Sequence, residues 1–413
     1  MKYNIHIPEH SDFTIWNFPF GIGIIGGEKR VVSRLGDTII DLAALHSSGL
    51  LINSAEVEIT LQNDFLNDFI RLGKSTTNAI RNRLIEIFTS VEGDHTEIVR
   101  NNVLHAANTV PMSLPVNAGD YTDFYSSKEH AFNVGVLFRG AENALQPNWL
   151  HLPVGYHGRS SSIVVSGTDL AWPYGQIFDR AKGIPEFGPC QKMDYELEMA
   201  FVIGKDSTLG CPVEAEEAED YIFGFALFND WSARDIQAWE YVPLGPFLGK
   251  NFGSTISPWI ITLEALEPFR TESPVQVPEI LEYLKTPGEK TFDIQISVSI
   301  QPSDETETSI ATSNFKYLYW NPSQQIAHHT VNGCNLRVGD IMASGTISGE
   351  NPGQLGSLLE LSHNGKETIE LEGGVVRTFL KSGDTVRLTG HCHKEGVSLG
   401  FGVAEGKVVN EKL

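Results

Sequence analysis

Residues 193–201, MDYELEMAF, carry Glu196 and Glu198 into an apolar run that continues through Val202 and Ile203. The alternation predicts a strand, because successive strand side chains point to opposite faces. Glu196, Glu198 and Ala200 then share one face, and Tyr195, Leu197, Met199 and Phe201 share the other. The two carboxylates are about 7 Å apart at the backbone. Like charges that close inside a core take up protons or are expelled unless a cation compensates them. Either this face is wet, with two solvated glutamates on a sheet edge, or something positive sits against it.

The same rhythm runs from about residue 120 onward. SSIVVSG, LEMAFVIG, YIFGFALFND, DIQISVSI and DTVRLTG are short runs separated by Gly, Pro, Asn and Asp. They predict a mixed or antiparallel β-rich unit, not alternating strands and helices. Upstream, residues 21–45 alternate β-like runs with glycine turns, which predicts a small β-domain. Apolar residues at helical spacing predict one or two amphipathic helices over 56–91. The proline-bearing segment 108–124 reads as the connection between domains 1–117 and 118–413. Gly21, Gly23 and Gly26 spell GxGxxG, with Asp41 downstream. Pro19 spoils the strand before them, and the residues after them alternate like a strand where a dinucleotide fingerprint needs a helix. Glycine turns between strands account for the match.

A chain of 413 residues with 41% hydrophobic content buries a large core and predicts two domains. Thirty basic residues against fifty-two acidic ones give a charge of -22. That balance argues against nucleic acid and anionic membranes as partners. Cys190, Cys211, Cys334 and Cys392 form no CxxC pair, so neither a zinc ribbon nor a disulfide framework is expected. With no apolar run of about 18 residues, the chain reads as soluble and cytoplasmic.

Further acids occupy settings like that of the opening pair. Asp123 lies in DYTDFYSS, and Asp230 closes YIFGFALFND. With Glu196 and Glu198 they would form an all-oxygen site suited to Ca²⁺, Mg²⁺ or Mn²⁺ and not to zinc. Past Asp230 a helix is expected, with Ser232 as its cap. Arg234, Gln237 and Tyr241 fall on one of its faces, as donors toward a polarised oxygen or as ordinary polar surface. Lys250 and Ser254 lie in an irregular Gly- and Pro-rich loop. His130 is a candidate base that needs an orienting carboxylate, and Glu360 is one possibility. The histidines of HHT, 328–330, and HCH, 391–393, read as structural.

Six segments carry a family resemblance: DYTDFYSSKEHA (120–131), FRGAENALQPNWLHLPVGYHGRSSSIVVSGT (138–168), MDYELEMAF, FNDWSARDIQAWEYVPLGPFLGKNFG (228–253), HHTVNGCNLRVGD (328–340) and SGTISG (344–349). In order and nearly without gaps, they resemble the fumarylacetoacetase family. The resemblance implies a mainly β fold with some α, in which an SH3-like N-terminal β-barrel precedes a mixed β-sandwich roll. It also implies a homodimer that hydrolyses a carbon–carbon bond of 4-fumarylacetoacetate, the last step of tyrosine and phenylalanine catabolism. By the family's pattern, Asp123, Glu196, Glu198 and Asp230 would bind calcium, and Asp230, Lys250 and Ser254 magnesium. His130 would be the base, Glu360 its orienter, and Arg234, Gln237 and Lys250 the groups that polarise the carbonyl. Tyr125, Arg139, Tyr156, Gln237, Tyr241 and Thr346 would contact substrate. Ser254 stands where the family usually has threonine, which keeps the hydroxyl. Related hydrolases and decarboxylases of the same superfamily, and a non-catalytic calcium-binding β-protein, are the competing expectations.

Overall fold

The stretch Leu197–Ile203 forms a strand buried along its whole length. The computed structural model describes residues 5–89, 99, 102–303 and 305–410, and sets this strand inside an eight-stranded sheet. Across the sheet the order is Gly155–His157, Tyr121–Phe124, Ile341–Ala343, Leu197–Ile203, Ile222–Asp230, Ser254–Ile256 and Ile163–Val165. Ile261–Thr262 pairs with Ile222–Asp230 beside that path. Two pairings are parallel, Tyr121–Phe124 with Ile341–Ala343 and Ile163–Val165 with Ser254–Ile256.

Each face of the central strand meets its own core. Leu197, Met199, Phe201 and Ile203 pack with Ile296, Val298, Leu388 and Phe401. Those residues belong to a five-stranded sheet ordered Thr308–Asn314, Gln295–Gln301, Thr385–Lys394, Val397–Val409 and Leu170–Ala171. On the opposite face, Ala200, Val202, Ala226 and Phe228 pack with Phe20, Phe69 and Leu84 from the N-terminal third. A strand covered on both sides has no reason to alternate apolar with polar, so any charge within it needs a local explanation.

The N-terminal stretch forms the expected antiparallel strands Gly21–Ile25, Glu28–Leu35 and Thr38–Asp41. Leu104–Ala106 and Met112–Ser113 complete a five-stranded sheet. Gly21 and Gly23 lie within the first strand, and Gly26, at φ +63°, makes the following turn. No phosphate-binding helix follows them. The helical expectation needs correction. Between 55 and 89 there are three helices, Ala55–Thr60, Asn67–Arg71 and Lys74–Thr89, while residues 90 and 91 lie outside the described residues. Gly73, at φ +84°, separates the last two, as a left-handed residue does at a helix end. A fourth helix, Leu42–Ser47, begins at Asp41, whose carboxylate accepts the Ala44 N–H. It replaces the end of the stretch expected to be strand and turn. The 108–124 connection splits between the sheets, with Met112–Ser113 in the small one and Tyr121–Phe124 in the large one. Among the described residues no helix is long and apolar enough to cross a membrane, and the four cysteines are free.

Candidate active site

Strands of the large sheet bring four carboxylates to one place. Asp123 is in Tyr121–Phe124, Glu196 immediately precedes the central strand Leu197–Ile203, Glu198 is that strand's second residue, and Asp230 ends Ile222–Asp230. One oxygen from each lies within 4.8 Å of those of the others, and all four residues are buried. Both oxygens of Glu198 and Oδ1 of Asp123 have no hydrogen-bond partner. Burial first, and then the neighbouring carboxylates, push Glu198 and Asp123 well above the usual carboxylate range. Buried oxygens that lack a donor are costly, and an all-oxygen set of this kind fits a hard divalent cation.

Both oxygens of Glu196 and one of Asp230 are held by two buried cations. Arg234 Nη1 donates to Glu196 Oε1 at 2.7 Å, and its Nε to Asp194 Oδ2 at 2.8 Å. Lys250 Nζ lies 2.6 Å from Glu196 Oε2 and 2.7 Å from Asp230 Oδ2. Burial alone would raise Glu196, but Lys250 and then Arg234 outweigh it and hold Glu196 well below its ordinary value. Burial would likewise lower both cations, yet their carboxylate partners keep them above their ordinary values. Ser254 Oγ donates to Asp230 Oδ1 at 3.0 Å, and Tyr156 OH to Asp230 Oδ2 at 2.8 Å. Asp230, Lys250 and Ser254 therefore meet, but the ammonium is a donor and cannot itself be a metal ligand. A cavity of about 160 Å³ opens here, lined by Tyr121, Tyr156, Asp230, Phe247, Lys250 and Ser254 among others.

His130 enters from the helix Lys128–Arg139, whose N-cap Ser127 accepts the His130 N–H. Its Nδ1 lies 2.7 Å from Glu360 Oε2, with both side chains buried. Glu360 sits in the short helix Leu358–Leu361 and also accepts from Asn133, Ser348 and Ser357 at 2.9–3.0 Å. Burial would raise Glu360, but the His130 charge and these hydrogen bonds outweigh it and lower it. His130 is also among the groups that lower Glu196, after Lys250 and Arg234. Tyr125 packs edge-on against the His130 ring, with centroids 5.3 Å apart.

The other expected contacts divide. Arg234 Nη2 and Thr346 Oγ1 are buried without partners, and Gln237 Oε1 lies 3.4 Å from Arg234 Nη1. Arg139, exposed at the end of the His130 helix, donates to the carbonyls of Asn143 and Ala144. Tyr241 is 48% exposed where the helix Arg234–Glu240 ends. Neither makes a hydrogen bond to the four carboxylates among the described residues. Ser232 does not cap that helix. Pairing with Met193–Asp194 holds Ser232–Ala233 extended, the N-cap is Ala233 without a side-chain bond, and Ser232 Oγ donates to the Asp230 carbonyl. His328 bonds Tyr283, His329 bonds Thr122, and His391 pairs with Asp12. Asp194, Asn133, Ser348 and Ser357 escaped the sequence reading. Asp194 alone left a signal, as the first of three acids at every second position through Glu198.

Comparison with known proteins identifies the family. Residues 16–115 match the family described as fumarylacetoacetase N-terminal, and residues 121–409 match fumarylacetoacetate (FAA) hydrolase C-terminal. A fumarylacetoacetase from Dictyostelium discoideum is 49% identical over 99% of this chain and 98% of its own, and one from Homo sapiens is 47% identical over 98% of each. The solved structure of a fumarylacetoacetate hydrolase from Exiguobacterium antarcticum is 16% identical, covers 95% of this chain and 100% of its own, and superposes with a TM-score of 0.55. That structural likeness speaks for the fold alone. Two matched family regions and near-full-length identity speak for more: the chain belongs to the fumarylacetoacetate hydrolase family.

Proposed function

We propose that the chain is a fumarylacetoacetase, a hydrolase that adds water across a carbon–carbon bond of 4-fumarylacetoacetate to give fumarate and acetoacetate. The names of its relatives support the substrate. The observation that carries the reading is the meeting at Glu196 of the carboxylate cluster with the Arg234 and Lys250 cations.

Glu360, held as a carboxylate, accepts a hydrogen bond from His130 Nδ1–H and leaves Nε2 free to take a proton from water. The hydroxide adds to the ketone carbonyl. Arg234 Nη2 has no other acceptor, and with Gln237 and the third Lys250 proton it is available to the developing oxyanion. Collapse breaks the carbon–carbon bond, the electron pair leaves with the acetoacetate carbon, and the His130 imidazolium returns its proton to that carbon. Asp123, Glu196, Glu198 and Asp230 would hold a divalent ion, calcium in this reading, which would supply Lewis-acidic charge for the diketone. Magnesium is assigned to the Asp230, Lys250 and Ser254 corner, where Asp230 and Ser254 offer the side-chain oxygens. Tyr125, Arg139, Tyr156, Tyr241 and Thr346 are assigned to substrate.

The reading includes an SH3-like domain over 1–117 and a catalytic domain over 118–413. A homodimer is supported by exposed apolar residues such as Phe187, Leu244 and Phe247, and a reducing cytoplasm by the free cysteines. The deciding assay follows loss of diketone absorbance with fumarylacetoacetate, acetylpyruvate or oxaloacetate, with and without chelator. Preference for fumarylacetoacetate, abolished by chelator and by His130→Ala, is expected. Equal or better turnover of acetylpyruvate or oxaloacetate would move the chain to another activity of the superfamily.

A further inference from the structure

We propose that Asp194 is a positioning residue that sets Arg234 and Glu360 relative to each other, joining the carbonyl-binding side of the site to the side that holds the base. The proposal rests on the hydrolase reading above. Asp194 is fully buried. Its Oδ1 accepts the backbone N–H groups of Tyr195 at 2.9 Å and Leu358 at 2.8 Å. Its Oδ2 accepts Arg234 Nε at 2.8 Å and the Leu359 N–H at 3.0 Å. All four partners are donors, so only an ionised carboxylate satisfies them together.

The placement of those donors matters for the chemistry. Leu358 and Leu359 open the helix Leu358–Leu361, and the next residue is Glu360. Arg234 is the first residue of the helix Arg234–Glu240. One carboxylate thus holds the starts of both. With Nε on Asp194 and Nη1 on Glu196, the guanidinium plane is fixed and Nη2 is aimed as the free donor. Without Asp194 the guanidinium is held through Nη1 alone, by Glu196 and, at a longer distance, Gln237, and can turn about that atom. On the other side, Ser348 and Ser357 hold the Glu360 carboxyl locally, while the backbone that carries it rests on Asp194. A shift of that turn is a shift in the meeting of Glu360 with His130 Nδ1.

Asp194→Asn tests this with almost no change of shape. Whichever way the amide turns, its NH₂ faces two N–H donors. The expected result is a fall in kcat of roughly 10- to 100-fold, as for groups that orient catalytic ligands, with KM nearly unchanged. The low-field imidazole N–H resonance of His130 in proton NMR is expected to move or vanish. A variant that only melts at lower temperature, with kcat per folded molecule and the resonance unchanged, would overturn the proposal. If Asp194→Asn does not fold, Arg234→Lys reads the link from the other end, because it keeps the charge but removes the Nε–H. Arg234 makes no hydrogen bond to His130 or Glu360, so a displaced resonance in Arg234→Lys, with none in Gln237→Ala, supports the link. A resonance at the wild-type position overturns it. Should the wild-type enzyme not act on fumarylacetoacetate, the functional reading fails by itself, and the resonance still decides the role of Asp194.

Discussion

Glu198 carries the electrostatic cost of the site. Both its oxygens are buried without donors, and burial followed by the charges of Asp123, Glu196 and Asp230 raises its pKa. A carboxyl whose folded pKa is raised contributes stability that is fully present below its unfolded pKa, and that contribution is lost as pH rises through the folded value. A cation reverses this by taking the place of the protons. The stabilisation given by excess divalent ion should therefore grow with rising pH, and calorimetry in buffers of different ionisation heat should show protons released on binding. A gain in melting temperature that is flat or falls with pH would count against a cation on Glu198 and Asp123. At this scale the sequence was informative where chemistry breaks pattern, as with two acids in an apolar strand. It was silent where an ordinary polar residue acts through backbone contacts. Nothing in Ser348 or Ser357 announces a bond to Glu360, and the alternation that marks Asp194 as one of three acids does not tell that its partners are backbone N–H groups.

The strand Leu197–Ile203 was legible because period-two alternation decides which side chains share a face before any partner is known. The helices between 55 and 89 were legible as helix but not as three pieces, because the breaks depend on the left-handed backbone at Gly73 and on packing against the large sheet. Ser232 was misread for a related reason: a hydroxyl before a helical pattern signals a cap, but pairing with Met193–Asp194 kept its backbone extended. The helix Lys128–Arg139, which presents His130, has a requirement of its own. A Cβ on Gly135 would lie 1.9 Å from the Ala144 carbonyl oxygen, so the helix is seated by direct backbone contact. Gly135→Ala should cost about 1–3 kcal/mol of stability, as overpacking does, and lower kcat by displacing the helix from Glu360. Thermal melts and turnover on the same preparation check this, and an unchanged melting temperature would show that the contact yields freely.

For the whole molecule, the large sheet lies between two covers. One is the five-stranded C-terminal sheet and the other is the N-terminal third, whose Phe20, Phe69 and Leu84 pack on Ala200, Val202 and Phe228. Residues 118–413 expressed alone would expose that second face, and an apolar area of this kind promotes aggregation. That fragment should be insoluble or bind hydrophobic dye strongly, whereas a soluble, dye-negative fragment would show that the N-terminal third is dispensable for the core. Composition could foresee a large core but not that the N-terminal third would lie across the sheet that holds the carboxylates, since spacing along a chain does not report packing between distant segments. The strand order also sets a timetable. Ile341–Ala343 lies between the strand of Asp123 and the strand of Glu198. The ribosome completes all four acids before it reaches residue 341, so they wait apart for the strand that will separate and align them. A nascent chain released between residues 230 and 341 carries every ligand and has no centre, and the capacity to hold an ion is acquired only near the end of synthesis.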